Sequence, residues 1–395
     1  MNISKIKVLI SEQQDYVVRM RREFHEHPEI SGKEYHTRER LIREIESMDI
    51  PYRLLDGTGM IAFIKGAKPG KHRVIRADID GLPVQEEMEN LKQKKQCISC
   101  VEGVSHACGH DAHMAMLLGT MKVLKALQDE LEGTVYCCFE EGEETNCGVE
   151  TMIEALKEYP IEECFALHVY NGLDAGKVNI VPGPRMAGMV GIGFHIKGKS
   201  GHGSRPDQAI NPIIPAAHII TQIHSAFVNQ LNAEETVTLG IGMVKAGEAI
   251  NVIPEDAYVG GTARFFNKEE GEKALSIINR IAESTAACHR CGIEFEKRNK
   301  ISPYPVVNDF EVATKVSKTL EQMLGREVLG ECDRWYASEC YSAYLQQYPG
   351  ALGFLGIRNE GYGSGAAHHN GKFDIDESAL QLGVYAEVAF AFGKG

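Results

Sequence analysis

The stretch HDAHMAMLLGTMKVLKALQDELEGTVYCCFE (110–140) joins a long helix pattern to a short apolar strand pattern. Residues 110–128 predict a helix, and residues 133–140 are typical of a buried strand. Further strand and helix patterns alternate on either side, with strands at 60–66, 72–78 and 163–169 and helices at 34–48 and 151–159. Ser31 and Glu34 have the spacing of a capping box. This alternation predicts an α/β fold with a mostly parallel sheet covered by helices.

A Pro/Gly-rich hinge near residues 182–188 changes the pattern. From there to a second break at 299–309, strands and helices follow in the order βαββαβ, which predicts a ferredoxin-like α+β unit. The sequence therefore predicts one α/β domain in two parts, 1–184 and 301–395, which an inserted α+β domain at 185–300 interrupts.

The composition limits the classes of partner. The chain has 395 residues, with 42 Lys and Arg against 55 Asp and Glu, and its formal net charge is −13. Because nucleic acids and anionic membranes bind basic surfaces, neither is expected as a partner. The N-terminus lacks a cationic start before an apolar stretch, and no run approaches the ~18 apolar residues that a spanning helix needs. We therefore expect a cytoplasmic protein whose cysteines stay reduced.

Acidic and imidazole side chains gather at the ends of three predicted strands. Asp78 and Asp80 end VIRADID, Glu143 and Glu144 end VYCCFEEGEE, and His168 lies near the end of CFALHV. Because ligands of open parallel sheets bind beyond the carboxyl ends of the strands, we expect these groups to share one site.

The segment SHACGHDAH (105–113) concentrates metal-ligand types at the entrance to the long helix: His106, Cys108, His110, Asp111 and His113. Thiolate, imidazole and carboxylate suit zinc or manganese. The alternative is a cysteine buried as a small apolar residue, with histidines that cap the helix. One cysteine and three histidines within eight residues favour the metal site.

Such a cluster suits metal-assisted hydrolysis. Two divalent ions ~3.5–4 Å apart share a bridging ligand, polarise a carbonyl and lower the pKa of a shared water. A carboxylate beside that water takes its proton and passes it to the leaving amine. The adjacent Glu143 and Glu144 suit a division into one base and one ligand. The pairs Cys97/Cys100 and Cys288/Cys291 have CxxC spacing without a second pair nearby, so we interpret them as free thiols.

Seven ordered motifs extend over nearly the whole chain: RREFHEHPEISGKE (21–34), RADIDGLPVQEE (76–87), SHACGHDAHMAMLLG (105–119), HVYNGL (168–173), GKSGHGSRPDQAINPI (198–213), GEAINVIPEDAYVGGTAR (247–264) and HHNGKFDIDE (368–377). Together they resemble the M20 metallopeptidases, in the amidohydrolase branch that includes hippurate hydrolases, N-acyl-amino-acid deacylases and plant auxin-conjugate hydrolases. The resemblance implies a catalytic domain with two divalent metal ions (zinc, manganese or cobalt) and an inserted lid domain through which a homodimer forms.

The resemblance also implies individual roles. The implied metal ligands are Cys108, His110, Glu144, His168 and His369, the last by register from KFDIDE. Glu143 matches the general base, and Asp80 matches a carboxylate that orients a ligand. In the inserted domain, His202 resembles the histidine that steadies the oxyanion. Asn251 and Arg264 resemble the residues that hold the substrate carboxylate, which a planar guanidinium suits.

The chain departs from the family pattern in three places. FEEGEET (139–145) replaces the usual FQPAEEG, which removes a proline and adds Glu140 and Glu141. SECYSAY (338–344) has Cys340 and Tyr341 where SEDF is common, and Gly371 replaces a common proline after the histidine pair. The register of the paired glutamates survives, while the charge of their loop changes.

The leading hypothesis is a metal-dependent amidohydrolase. Its partner would be a small N-acyl amino acid or dipeptide-like conjugate, and its products a carboxylic acid and a free amino acid. One alternative is a thiol amidase with Cys108 as nucleophile. The other is a catalytically inactive homologue that still binds metal. Chelation separates the first two, because only the metal enzyme loses activity.

Overall fold

The computed structural model describes residues 2–393, which form two compact units. The first unit comprises Met1–Gly183, Asn308–Asp333 and Ala343–Gly395, and the second comprises Pro184–Val307 and Arg334–Ser342. The predicted boundaries of the inserted domain, 185–300, stay a prediction.

The described residues form helices and strands in alternation. The helices are α1 (Ile3–Glu12), α2 (Gln14–Glu26), α3 (Tyr35–Ser47), α4 (His110–Ala126), α5 (Val149–Leu156), α6 (Ile213–Gln230), α7 (Lys268–Cys288), α8 (Phe310–Leu324), α9 (Ser342–Leu345) and α10 (Leu380–Phe392). The strands are β1 (Tyr52–Leu54), β2 (Met60–Lys65), β3 (Lys68–Asp78), β4 (Glu132–Glu140), β5 (Glu163–Asp174), β6 (Val178–Asn179), β7 (Gly183–Met186), β8 (Gly188–Lys197), β9 (Gly201–His202), β10 (Val237–Ala246), β11 (Val252–Ile253), β12 (Asp256–Phe265), β13 (Gly292–Phe295), β14 (Val306–Asn308) and β15 (Gly350–Arg358).

The first unit is built on a seven-stranded mixed sheet in the order β1-β2-β4-β3-β5-β15-β6. The four central strands β4, β3, β5 and β15 are parallel, as the sequence predicts. The outer strands β1, β2 and β6 run antiparallel to their neighbours. The carboxyl ends of the central strands therefore meet at one edge, where Asp78 pairs in register with Glu140.

Helix α4 is buried along most of its length, which explains its nearly continuous apolar sequence. Two glycines permit its close packing. Gly109, just before the helix, has φ +90°, and a Cβ there would lie 2.3 Å from Val169 Cγ2. At Gly119 a Cβ would lie 2.5 Å from Val17 Cγ2 on α2. The start of α4 is thus fixed against β5.

The capping box expected from Ser31 and Glu34 is wrong. Helix α3 begins at Tyr35, and Glu34 is its N-cap residue but makes no side-chain cap hydrogen bond. Both side chains instead bind distant parts of the chain. Ser31 Oγ donates to Asp80 Oδ2 at 2.7 Å, and Glu34 Oε1 accepts from the Gly142 backbone N–H at 2.9 Å.

The second unit contains an antiparallel four-stranded sheet in the order β10-β12-β8-β13. Helices α6 and α7 pack on each other and on this sheet around one apolar core. The element order βαββαβ is the predicted ferredoxin-like arrangement. Across residues 2–393, no helix combines the length and the apolar character that crossing a membrane requires.

Candidate metal centre

Four segments of the first unit bring the five predicted ligands together. The turn before α4 and its first residue supply Cys108 and His110, and the turn after β4 supplies Glu144. His168 lies on β5, and His369 lies in the loop before α10. The thiol of Cys108 is buried, and burial raises its pKa well above the usual range.

Cys108 belongs to two sets of three possible donors. In one set its sulfur lies with His110 and His168, and in the other with Glu144 and His369; the donor atoms of each set lie within 4.8 Å of one another. Cys108 Sγ lies 3.7 Å from His168 Nε2. The sulfur of Cys108 is therefore the donor atom that these two sets have in common.

Neighbouring groups fix which nitrogen of His110 is available. Its Nδ1 lies 3.1 Å from Asp80 Oδ1, and since a carboxylate accepts, Nδ1 carries the proton. His110 Nε2 is buried and makes no hydrogen bond to any described residue. It lies 3.8 Å from Glu144 Oε1, which likewise makes none. An imidazole nitrogen and a carboxylate oxygen are donor atoms that ligate divalent cations.

His168 is oriented in the same way. Its Nδ1 donates to the backbone oxygen of Val169 at 2.7 Å, which leaves Nε2 directed at Cys108. Burial and the neighbouring imidazoles hold the pKa of His168 well below its usual range, so the ring is neutral. A neutral imidazole is the form that ligates metals.

His113 lies beside the cluster, but both of its nitrogens are used. Nδ1 lies 2.6 Å from Asp78 Oδ1, and Nε2 accepts from the Val169 N–H at 3.0 Å. Asp78 also accepts from Arg76 Nη1 at 2.6 Å. Asp78 lies at the shared site that the strand ends predict, and His113, one of the possible metal-ligand types in 105–113, contacts Asp78 and not the donor sets of Cys108. His113, held by Asp78, thereby fixes the backbone of β5 at Val169, next to His168.

The acidic loop after β4 is held from several sides. Asp80 Oδ2 accepts from the Glu144 N–H at 3.1 Å. Glu143 opens a short 3-10 turn and is 8% exposed. Glu140, one of the added acids, is buried and accepts from Arg76 and, at 2.5 Å, from Tyr344. Its charge is therefore compensated inside the protein.

His369 has an unusual backbone for a residue with a side chain. Its φ is +60°, in the left-handed region that costs about 1–2 kcal/mol. Its N–H donates to Ala107 O at 2.9 Å, and its Nε2 lies 3.3 Å from Glu144 Oε1. Gly371 O accepts from Lys95 Nζ at 2.8 Å, so the loop is tied down where the usual proline is missing.

The remaining predicted site residues belong to the second unit. His202 Nδ1 accepts from the Ser204 N–H at 3.1 Å, so neutral His202 carries its proton on the exposed Nε2. The Gly203 N–H donates to Asn251 O at 2.8 Å, which brings Asn251 beside the His202 turn. Arg264 Nη1 donates to Ser338 Oγ at 2.6 Å, and no acidic residue among those described pairs with Arg264.

The cysteines of the two CxxC pairs form no disulfide, and their interpretation as free thiols stays a prediction. Cys97 and Cys291 are buried, and Cys100 and Cys288 are exposed. Burial raises the pKa of the Cys97 thiol to about 12.

Comparison with known proteins gives consistent matches. Residues 74–391 match the model of peptidase family M20/M25/M40. The chain is 33% identical to thermostable carboxypeptidase 2 of Saccharolobus solfataricus, over 98% of each chain. It is 34% identical to N-acetylcysteine deacetylase of Bacillus subtilis, over 94% of this chain and 96% of that one. A Bacillus subtilis crystal structure, described as a dinuclear metal binding peptidase from the M20 family, superposes with a TM-score of 0.81 at 30% identity over 96% and 98% of the chains.

Proposed function

Because the chain belongs to peptidase family M20/M25/M40, we propose that it hydrolyses the amide bond of N-acyl amino acids or small dipeptide-like conjugates. The products are a carboxylic acid and a free amino acid. Family membership makes the chain a metal-dependent hydrolase, as the sequence predicts. The names of two relatives, an N-acetylcysteine deacetylase and a carboxypeptidase, support this substrate class.

One observation carries the proposal: His110 Nε2 and Glu144 Oε1 are buried without hydrogen bonds and lie 3.8 Å apart beside Cys108. A buried polar atom without a partner costs about 1–3 kcal/mol, which a bound cation offsets. We propose that Cys108, His110, Glu144, His168 and His369 would hold two divalent ions. Thiolate and imidazole suit zinc or cobalt, and the carboxylate also tolerates manganese.

In this proposal Glu143, Asp80 and His202 each have a separate role in hydrolysis. When bound, the divalent ions supply Lewis-acid activation of the amide carbonyl and of the attacking water. Glu143 takes the proton of that water and delivers it to the leaving amine nitrogen. Asp80 holds His110 in the tautomer that keeps Nε2 free. His202 donates from Nε2 to the developing oxyanion.

Arg264 and Asn251 are proposed to bind the carboxylate of the substrate. The support for Arg264 is that its only described side-chain hydrogen bond goes to a neutral hydroxyl, although burial lowers its pKa by disfavouring the uncompensated charge. A substrate carboxylate would offer the guanidinium a bidentate partner.

Arg264→Ala is expected to lower kcat/KM for N-acyl amino acids by about 10²-fold, since a charge-assisted pair is lost. For the matching amino-acid amides, which lack the carboxylate, the loss should be much smaller. Steady-state kinetics on the paired substrates measures this difference. Equal losses on both would exclude a carboxylate-specific role for Arg264.

We also propose that the protein is a homodimer formed through the second unit. Strand β10 is one of the two outer strands of that sheet, and its Met243 and Val244 are 45% and 54% exposed. On the neighbouring α6, Val228 is 84% exposed. An exposed apolar edge strand favours pairing with another chain. The free CxxC thiols support the further proposal of a cytoplasmic location.

The two alternatives are weaker. For a thiol amidase, the buried Cys108 would have to ionise, and its raised pKa makes the metal-free thiol a poor nucleophile. For an inactive homologue, the base or a ligand should be missing, whereas Glu143 and all five ligand types are present. The deciding experiment is a hydrolysis screen of N-acetyl, N-benzoyl and longer N-acyl amino acids, run together with chelation.

A further inference from the structure

One threonine hydroxyl in the first unit lies between two buried carboxyl groups. Thr58 Oγ1 is 2.6 Å from Glu34 Oε2 and 2.6 Å from Glu141 Oε2. Thr58 and Glu34 are 0% exposed and Glu141 is 8% exposed. Both distances are those of O–H···O hydrogen bonds. Among the residues described, neither carboxyl group has a cationic partner.

The two contacts of Thr58 Oγ1 with carboxyl oxygens require two protons, and the hydroxyl supplies one. A hydroxyl has a single proton, so it donates to one of the two carboxyl groups only. The other contact requires a proton on the carboxyl group itself. Glu141 Oε2 also accepts from the Thr58 backbone N–H, so Glu141 is the acceptor. Glu34 Oε1 accepts from the N–H groups of Gly32 and Gly142, each at 2.9 Å, which leaves Oε2 as the protonated atom.

We propose that Glu34 is a neutral carboxylic acid that donates to Thr58, which in turn donates to the Glu141 carboxylate, and that this chain positions the loop carrying Glu143. Burial raises the pKa of Glu34, and the negative charge of Asp80 acts in the same direction. The family pattern has proline where this chain has the buried Glu141. The charge of the Glu141 carboxylate is accommodated because the neighbouring Glu34 is protonated and therefore uncharged.

The chain of hydrogen bonds reaches the base through the two residues that precede it. Glu34 fixes the Gly142 backbone, and Thr58 fixes the Glu141 side chain. Gly142 has φ +61°, and a Cβ there would lie 2.0 Å from Cys147 Sγ, so the turn has little room to move. Glu34 is therefore a positioning residue. Its effect on Glu143 rests on the proposed function, whereas its protonation does not.

Infrared difference spectroscopy of the metal-loaded protein at neutral pH tests the protonation. The carbonyl band of a buried carboxylic acid should be present in the wild type and absent from Glu34→Gln. Glu387→Gln is the control, because burial raises the pKa of Glu387 to about 8 and its oxygen accepts from Thr120 at 2.6 Å. It should remove a second, separate acid band. A wild-type spectrum from which Glu34→Gln removes no acid band, or from which Glu141→Gln removes one that Glu34→Gln keeps, would overturn the assignment.

Kinetics tests the positioning role. In Glu34→Gln the amide can still donate to Thr58, and its oxygen can still accept from Gly142, so kcat should stay near the wild-type value. Glu34→Ala removes the acceptor of the buried Gly142 N–H and of the Gly32 N–H, and it should lower kcat by about 10–100-fold with KM and metal content nearly unchanged. Equal kcat for all three proteins would overturn positioning.

A second pair of variants covers the case in which Glu34→Ala does not fold. Thr58→Val keeps the shape but removes the shared proton, so it should lower kcat, and Thr58→Ser should restore it. A Thr58→Val protein with wild-type kcat would contradict the proposal. If Glu143→Gln instead kept full activity, the proposed function would fail while the infrared result for Glu34 would stand.

Discussion

Glu143→Gln is expected to lower kcat by about 10²–10⁴-fold while the fold and the bound metal are kept. The amide has the shape of the carboxylate but cannot take a proton from water. Glu143 is 8% exposed at the start of a short turn, so an isosteric change should leave its surroundings in place. Steady-state kinetics with metal analysis of the same samples measures the effect.

Glu144→Gln is the matched comparison, because it changes the adjacent residue in the same way. Its Oε1 lies 3.3 Å from His369 Nε2 and 3.8 Å from His110 Nε2, so this substitution should weaken metal binding instead. Near wild-type kcat in Glu143→Gln at full metal occupancy would remove Glu143 from the role of base.

His202→Ala should lower kcat by roughly 10²-fold or more and change KM much less. The Ser204 N–H fixes the acceptor nitrogen of His202, so Nε2 is held as a donor before the substrate arrives. A donor of this kind gains strength as charge develops on the oxyanion, which is why the loss should fall on kcat. The measurement is steady-state kinetics on the purified variant, with thermal stability and metal content as checks.

His218→Ala is a suitable control, since His218 is an exposed histidine on α6 in the same unit. It should leave both kinetic constants unchanged. A His202→Ala protein in which only KM rises would show that His202 is a binding contact and not an oxyanion donor.

The local parts of the fold could be predicted from the sequence. The helix predicted at 110–128 corresponds to α4, and the strand at 133–140 to β4, because each has a strong pattern within a few turns of chain. Cys108 and His110 were equally visible, since the nine residues 105–113 concentrate metal-ligand types. His369 was assigned through the family resemblance, because an isolated histidine pair has no such local signal. The antiparallel outer strands were not visible, because strand direction at a sheet edge depends on pairing between distant segments.

Long-range hydrogen bonds determine the roles of Ser31 and Glu34 and the tautomers of the ligand histidines, and these could not be predicted from the sequence. The Ser31/Glu34 spacing resembles a capping box, but Ser31 binds Asp80 and Glu34 binds the loop at Gly142, 108 residues away. Likewise the tautomers of the ligand histidines depend on Asp80 and on a backbone oxygen of β5. No local pattern encodes such partners.

The central claim is that two metal ions held by the Cys108 cluster are required for amide hydrolysis. The direct measurement is a titration of chelator-treated protein with Zn²⁺, Mn²⁺ or Co²⁺, with bound metal and hydrolysis of an N-acyl amino acid recorded on the same samples. We predict no activity without metal, and full activity with at least one of these ions at about two per chain. Full activity in the metal-free protein would contradict the account and favour Cys108 as a nucleophile.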